Sequence, residues 1–520
     1  MTKKLNSKTL PAIFMVLSII AAILFRSCRQ NWVYMTSAFG FELPMLLFVL
    51  MIVFSVLLGI LFTLKLYNCN FCSKKVYKYL LIISMIFSSV LFTFSSIYVI
   101  AYAPGEETEI FSLYLRKTLS EGIFLLLVPF FVIFYPKLSC KAKRGVAAVS
   151  LSALTILSIN AFYPLLPYKI TSEPVVIDNG TEYSIIFATN DIGTAYAEYT
   201  YDGKDYKIFD NTGGRLNGDR KIHSISVPYE HLRNNTYKVS STRVIEEYSY
   251  GSRRGATVTS AEYEFKFNNS DNQIWLVISD WHTWLNKAYK AIDNFGTDYD
   301  GVILLGDASP SLDFEEQAVT NTVEFGGKVS KGTKPVLYVR GNHETRGDYA
   351  NNLPTSLGLE QFYYTADIGP YSFVVLDSGE DKEDSHIEYG GMNDYNTYRA
   401  DMLEWLKGVE VENEKVIAIS HSWEISDVEP ELSAAGWAEL DRIGTRLMLS
   451  GHYHQCRFIG EYDDYEKEIA EKYPDIIAYL DGGNAGDSYI ASLLTLSKDG
   501  FEIKAVDDSG SEILKEYFAW

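Results

Sequence analysis

Long apolar runs fill the first third of the chain, and shorter alternating or buried runs fill the rest. Stretches free of charge lie between Lys8 and Arg26, Glu42 and Lys65, Lys78 and Glu106, Glu121 and Lys137, and Arg144 and Lys169, each dense in Leu, Ile, Phe and Val. Because about 20 apolar residues cross a hydrocarbon core as a helix, the pattern predicts a five-helix transmembrane domain over 1–168. Lys and Arg favour the cytoplasmic side of a bilayer. Residues 3–8, 65–78 and 137–144 hold 11 of them, whereas the alternate loops hold Arg26, Arg29, Arg116 and Lys117. That bias predicts a multi-pass protein of the cell membrane, N-terminus in the cytoplasm, with everything after Tyr168 outside.

From 169 to 270 the apolar period shortens to two. The runs Tyr183–Thr189, Tyr196–Tyr201, Lys221–Val227, Tyr237–Tyr248 and Tyr263–Phe267, with a turn at Asp202-Gly203, predict an antiparallel, fibronectin III-like β-sandwich. From 271 to 520 buried runs alternate with helical ones. Strands are predicted at Ile274–Ile278, Val302–Leu305, Val336–Val339, Phe373–Leu376, Val416–Ile419 and Leu447–Leu449, and helices near Trp284–Phe295, Phe314–Phe325 and Tyr398–Val409. Such alternation belongs to an α/β domain with a largely buried sheet.

Charge sharpens the division. The net charge of −20 splits into +10 over the first 168 residues (15 Lys and Arg against 5 Glu) and −30 over the remainder (31 against 61). An acidic remainder argues against nucleic-acid binding, which needs a basic face. Five cysteines, an odd and sparse set, exclude a disulfide scaffold. The interiors of the apolar runs carry no carboxylate or basic residue, which favours an anchor or ligand sensor over a transport path.

Chemistry gathers after five predicted strands: Asp280-Trp281-His282, Gly306-Asp307, Gly341-Asn342-His343-Glu344, His421, and Gly451-His452-Tyr453-His454. Ligands in open α/β sheets collect at the carboxyl ends of strands, so the five clusters are expected to converge. Of eight histidines, five fall in these clusters, and only His223, His231 and His386 lie elsewhere. An Asp-x-His or a Gly-Asp pair alone is more often a cap or a turn; all five in order are not.

In this order the clusters resemble the calcineurin-like metallophosphoesterase family, over about Asn272 to Leu496; the stretch Phe373-Val374-Val375-Leu376-Asp377-Ser378-Gly379-Glu380-Asp381 and the β-sandwich before it resemble bacterial members near the purple acid phosphatases. The resemblance implies a four-layer αββα sandwich with two metals. Asp280, His282 and His454 would hold one ion, Asn342, His421 and His452 the other, and Asp307 would bridge them. Purple acid phosphatases carry D-x-G first and a Tyr three residues after the Gly-Asp aspartate. Here those positions are His282 and Pro310, so the resemblance implies two divalent ions (Mn, Fe or Zn) and no coloured ferric centre.

Four His, two Asp and one Asn form an N/O donor set that accepts such metals without choosing among them. Two ions roughly 3.5–4 Å apart would activate a shared water as the nucleophile on a phosphate mono- or diester. His343 is expected to donate a proton to the leaving oxygen, and Glu344 to orient a ligand from behind. Arg346 and Arg340 flank the third cluster, and either suits a substrate phosphate, though Arg340 suits a carboxylate equally. Trp281, Trp284, Trp423 and Tyr453 form either a substrate wall or core packing. The leading expectation is thus an exported, membrane-anchored phosphoesterase acting on a phosphate ester, with envelope or lipid phosphates suggested by the bilayer. The alternatives are a surface receptor or sensor with a structural metal site, or a hydrolase of sulfate or pyrophosphate links on the same fold.

Overall fold

A computed structural model describes residue 79 and residues 166–520, apart from 249, 250, 283 and 461. The five spans read over 1–168 lie outside the described residues. Among the described residues no helix is long and apolar enough to cross a membrane. The longest, Tyr395–Lys407 and Pro430–Arg442, have 13 residues each, where about 20 are required. The multi-pass placement, with its outward-facing catalytic part, is corrected accordingly: no described helix supplies a span for it.

Tyr168–Val244 and Arg254–Trp520 form one compact unit, and everything below belongs to it. Its core is two facing sheets. The first runs, edge inward, through Glu512–Ala519, Gly500–Asp507, Ser488–Leu496, Gln273–Ile278, Gly301–Leu304, Pro335–Tyr338, Val175–Asp178 and Tyr183–Tyr201. The second orders Tyr364–Ile368, Tyr371–Val375, Lys415–Ile419, Thr445–Ser450, Ile477–Leu480 and Arg457–Phe458.

Alternation explains the layering. In the second sheet Phe373, Val375, Ile417, Ile419, Leu447 and Leu449 join the core shared with the first. Their neighbours Val374, Leu376, Val416, Ala418 and Met448 pack instead against Met402, Leu406, Trp437 and Leu440 of the two 13-residue helices. A strand turns successive side chains to opposite faces, so a strand buried on both faces must be apolar throughout. Trp275 of the first sheet meets Phe373 of the second with ring centroids 4.9 Å apart. Leu285–Asp293 and the helical stretch from Glu315 to Ser330 put Ala288, Ala291, Val319, Val323 and Phe325 into the same core, closing an αββα sandwich.

All six strands expected over 271–520 form within one or two residues of their predicted bounds. The helix expected at Phe314–Phe325 is interrupted, passing through a π-helical turn at Val319–Glu324. The two runs at 183–189 and 196–201 are one strand, Tyr183–Tyr201. Asp202 and Gly203, with φ of 50° and 70°, turn it into Lys204–Phe209. Val175–Asp178 leaves this sheet-rich region to pair in parallel with Pro335–Tyr338 (Val176 opposite Pro335, Ile177 opposite Val336), so strands on both sides of residue 270 share one sheet.

Candidate metal centre

Every cluster sits at a strand's carboxyl end, three on the first sheet and two on the second. Asp280 and His282 follow Gln273–Ile278, Asp307 follows Gly301–Leu304, and Asn342 to Glu344 follow Pro335–Tyr338. His421 follows Lys415–Ile419, and His452 and His454 follow Thr445–Ser450. The two sheets therefore bring their polar ends to one mouth. Asp280, His282 and His454 form one group of donor atoms mutually within 4.8 Å, and Asp307, His421 and His452 form a second.

The backbone is bent to do this. Asp280, Asp307, His452 and His454 adopt φ of 53°, 55°, 66° and 53°, a left-handed conformation that costs a non-glycine residue on the order of 1–3 kcal/mol. Tight backbone packing holds the bends. A Cβ on Gly341 would lie 2.1 Å from Asp307 Oδ1 and 2.3 Å from its backbone nitrogen, and one on Gly306 would lie 2.5 Å from Gly341 N.

Hydrogen bonds aim the side chains. Asp280 Oδ2 accepts the His452 N–H at 3.0 Å, and Asp307 Oδ1 accepts the His343 N–H at 3.0 Å. Carbonyls can only accept, so the ring nitrogens facing them carry protons: His421 Nδ1 on Leu305 O at 2.6 Å, His454 Nδ1 on Asn484 O at 2.7 Å, and His343 Nδ1 on Pro310 O at 2.8 Å. Each ring thus turns Nε2 toward the centre, the outer-shell arrangement typical of metal-ligating histidines. Fully buried Glu344 accepts three backbone N–H groups, from Asp307 and Gly341 at 2.8 Å and from Ser309 at 3.0 Å.

The donor atoms fit metal ions. Asp280 Oδ1, His282 Nδ1, Asn342 Oδ1 and His421 Nε2 are buried without a hydrogen-bond partner. Four such orphans would be costly, and a bound cation would satisfy them. Burial lowers the His282 and His452 rings below the usual imidazole range, leaving them neutral and ready to ligate. Burial works to raise Asp307, but His421 and His343 hold it below the usual carboxylate range. Burial likewise works against a charged His421, and Asp307 overrides it, pushing that ring up to about 10.

The remaining expected site residues separate. His343 lies at the mouth, its ring stacked on His282 at 5.1 Å and its Nε2 3.8 Å from Asp307 Oδ2. Tyr453 packs edge-on to His452 and places its hydroxyl among Ser422, Asp427 and Glu424. Trp281 points into the core, stacked on Phe325 with Nε1 donating to Asn321 O at 2.7 Å. Trp423 is buried against Trp437 and Tyr465. Arg346 is held by Glu380 through Nε at 2.8 Å and Nη2 at 2.7 Å, and Arg340 by Asp377 at 2.6 Å. Sequence reasoning passed over Asp427, whose Oδ2 lies 3.9 Å from His452 Nε2, and Asp481, and gave Glu380 no role of its own. Asp481 ends the strand Ile477–Leu480 just as the ligands end theirs, a signal available had that strand been recognised.

The domain is of the metal-dependent phosphoester hydrolase class. Residues 275–456 match the calcineurin-like phosphoesterase family, and the chain carries a calcineurin-like phosphoesterase domain over that range. No curated protein matches the chain. Among solved structures it is similar to PhoD (11% identity, TM-score 0.41, covering 68% of this chain and 90% of that one). GAP50, the anchor in the inner membrane complex of Plasmodium, is also similar (13%, TM-score 0.35, 48% and 89%). So is a cold-active protein-tyrosine phosphatase of a Shewanella species (10%, TM-score 0.23, 68% and 99%). At such identities and scores these likenesses carry no argument about activity.

Proposed function

We propose that the chain hydrolyses phosphate mono- or diesters at a binuclear divalent metal centre. Asp280, His282 and His454 would hold one ion, Asn342, His421 and His452 the other, with Asp307 available to both. The observation that supports this is the pair of ligand groups, each within 4.8 Å, at one mouth. When bound, the ions supply Lewis acidity that activates water and offsets charge on the phosphoryl oxygens.

The chain's own residues do the rest. Glu344 holds the Asp307 and Gly341 backbones in register. His343, its Nδ1 proton fixed on Pro310 O, presents Nε2 at the mouth with the side chain 30% exposed. As an imidazolium, protonated on both nitrogens, it delivers the Nε2 proton to the leaving oxygen and is left neutral with Nδ1–H on Pro310 O, a role that a receptor with a structural metal does not require. Envelope or lipid phosphates were expected from the membrane assignment alone, and no residue of the site bears on them. The ligand groups all lie in 271–520, the expected catalytic segment, which shares one sheet with the expected fibronectin III-like segment, 169–270. The latter is tied in by Glu315, whose Oε1 accepts the Lys221 and Ile222 N–H groups at 2.6 and 3.0 Å.

The test is hydrolysis of an aryl phosphomonoester and diester by the full chain with added Mn(II), beside Asp307→Ala. Turnover and metal retention should be lost together in the variant. A variant that keeps its rate would end the two-metal reading.

A further inference from the structure

Behind Asp280 lies a buried acid that no ligand motif includes. Asp481 is fully buried. Its Oδ2 accepts the Ser279 hydroxyl at 2.9 Å and its Oδ1 the Ser492 hydroxyl at 2.6 Å. Since Ser492 spends its proton on Asp481, Tyr479 OH, 2.8 Å away, donates to Ser492, and the Cys456 thiol donates to Tyr479 at 3.3 Å. With Asp481 ionised, every proton in this chain points toward it.

The segment that follows touches the same half of the centre twice more. Asn484 O takes the His454 Nδ1 proton, and a Cβ on Gly483 would lie 2.8 Å from Asp280 Cβ. Among the described residues Asp481 makes no ion pair, and the ion-pair contact of Asp280 is with His454 Nε2 at 3.7 Å. Burial pushes the Asp481 carboxyl up to about 7; Ser492 and Ser279 work against the rise and Asp280 adds to it. Asp280 and Asp481 are both fully buried carboxylates, and Asp280 Oδ1 has no hydrogen-bond partner.

We propose that Asp481 is a positioning residue for the ion held by Asp280, His282 and His454. It clamps Ser279, and with it the bend at Asp280, and supplies buried negative charge that the ion offsets. The proposal rests on reading those three residues as ligands. Outer-shell partners of this kind are worth about 10–100-fold in metal affinity.

Titration of the metal-free full chain with Mn(II), followed by calorimetry, tests it in Asp481→Asn. One of two sites should weaken by about 10-fold or more, the other should be unchanged, and the metal-free protein should melt no lower than wild type. Unchanged affinity at both sites, or loss of both sites with a lowered melting point, would make Asp481 a plain structural residue. Should Asp481→Asn not fold, Ser279→Ala decides, with the same single-site weakening expected and its absence counting against the proposal. Asp280→Ala is the control on the underlying reading: if it binds two Mn(II) normally, the ligand assignment itself is wrong.

Discussion

Glu344 Oε2 accepts the backbone N–H of Asp307 at 2.8 Å, so a side chain from the third cluster fixes the main chain of the second. Burial, and then Asp307, pushes the Glu344 carboxyl up to about 7, yet three amides converge on it. Glu344→Ala would orphan all three, each worth roughly 1–3 kcal/mol. We expect stability to fall by about 3 kcal/mol or more and metal content to fall with it. Urea unfolding and metal analysis check this, and an unchanged midpoint would refute it.

His343 touches the centre without belonging to either ligand group. His343→Ala should therefore retain both metals and lose roughly 10²–10⁴ in rate. The deficit should be large for an alkoxide leaving group and small for p-nitrophenolate, which departs without a proton. Equal losses on both esters would remove the proton-donor role.

Arg346, expected from sequence to suit a substrate phosphate, is held by Glu380 through Nε and Nη2, with Nη1 3.5 Å from His343 Nδ1. Glu380, 1% exposed, accepts from its Nε and Nη2 and also from Thr345 Oγ1 at 2.7 Å and Tyr389 OH at 2.8 Å. Removing one partner of a buried pair leaves an uncompensated charge, which costs about 3–5 kcal/mol. With Arg346 28% exposed, the low end applies, about 3 kcal/mol for Arg346→Ala. Adding Glu380→Gln should recover part of that loss in a double-mutant cycle; strict additivity would mean the pair is not coupled.

Asp178 gives a pH dependence remote from the metals. Burial pushes its carboxyl up to about 6, against the pull of the Tyr229 hydroxyl at 2.5 Å, and its Oδ2 has no partner. A raised carboxyl contributes stability that is complete below its unfolded value of 3.8 and lost as pH climbs through about 6. Asp178→Asn should then be more stable than wild type at pH 8, by up to roughly 3 kcal/mol, with no such gain at pH 4. Melting curves at the two values decide it.

Much of this was legible because it is local. A run such as Val416–Ile419 reads as a doubly buried strand from its composition, and the change to His421 marks its end. Side-chain direction is not local in that sense. Trp281 and Trp423 neighbour the ligands in sequence yet turn into the core, Trp281 onto Phe325 and Trp423 onto Trp437, partners that lie 44 and 14 residues away. Asp481 and Glu380 are single carboxylates whose meaning comes from partners 202 and 34 residues away. The parallel pairing of Val175–Asp178 with Pro335–Tyr338 spans some 160 positions, and no turn announces it.

That pairing governs where the molecule can be cut. A fragment begun at residue 271 would expose the backbone of Pro335–Tyr338 along one side, a bare edge of the kind that recruits a second chain and aggregates. The shortest piece that closes its own sheet starts upstream of Val175.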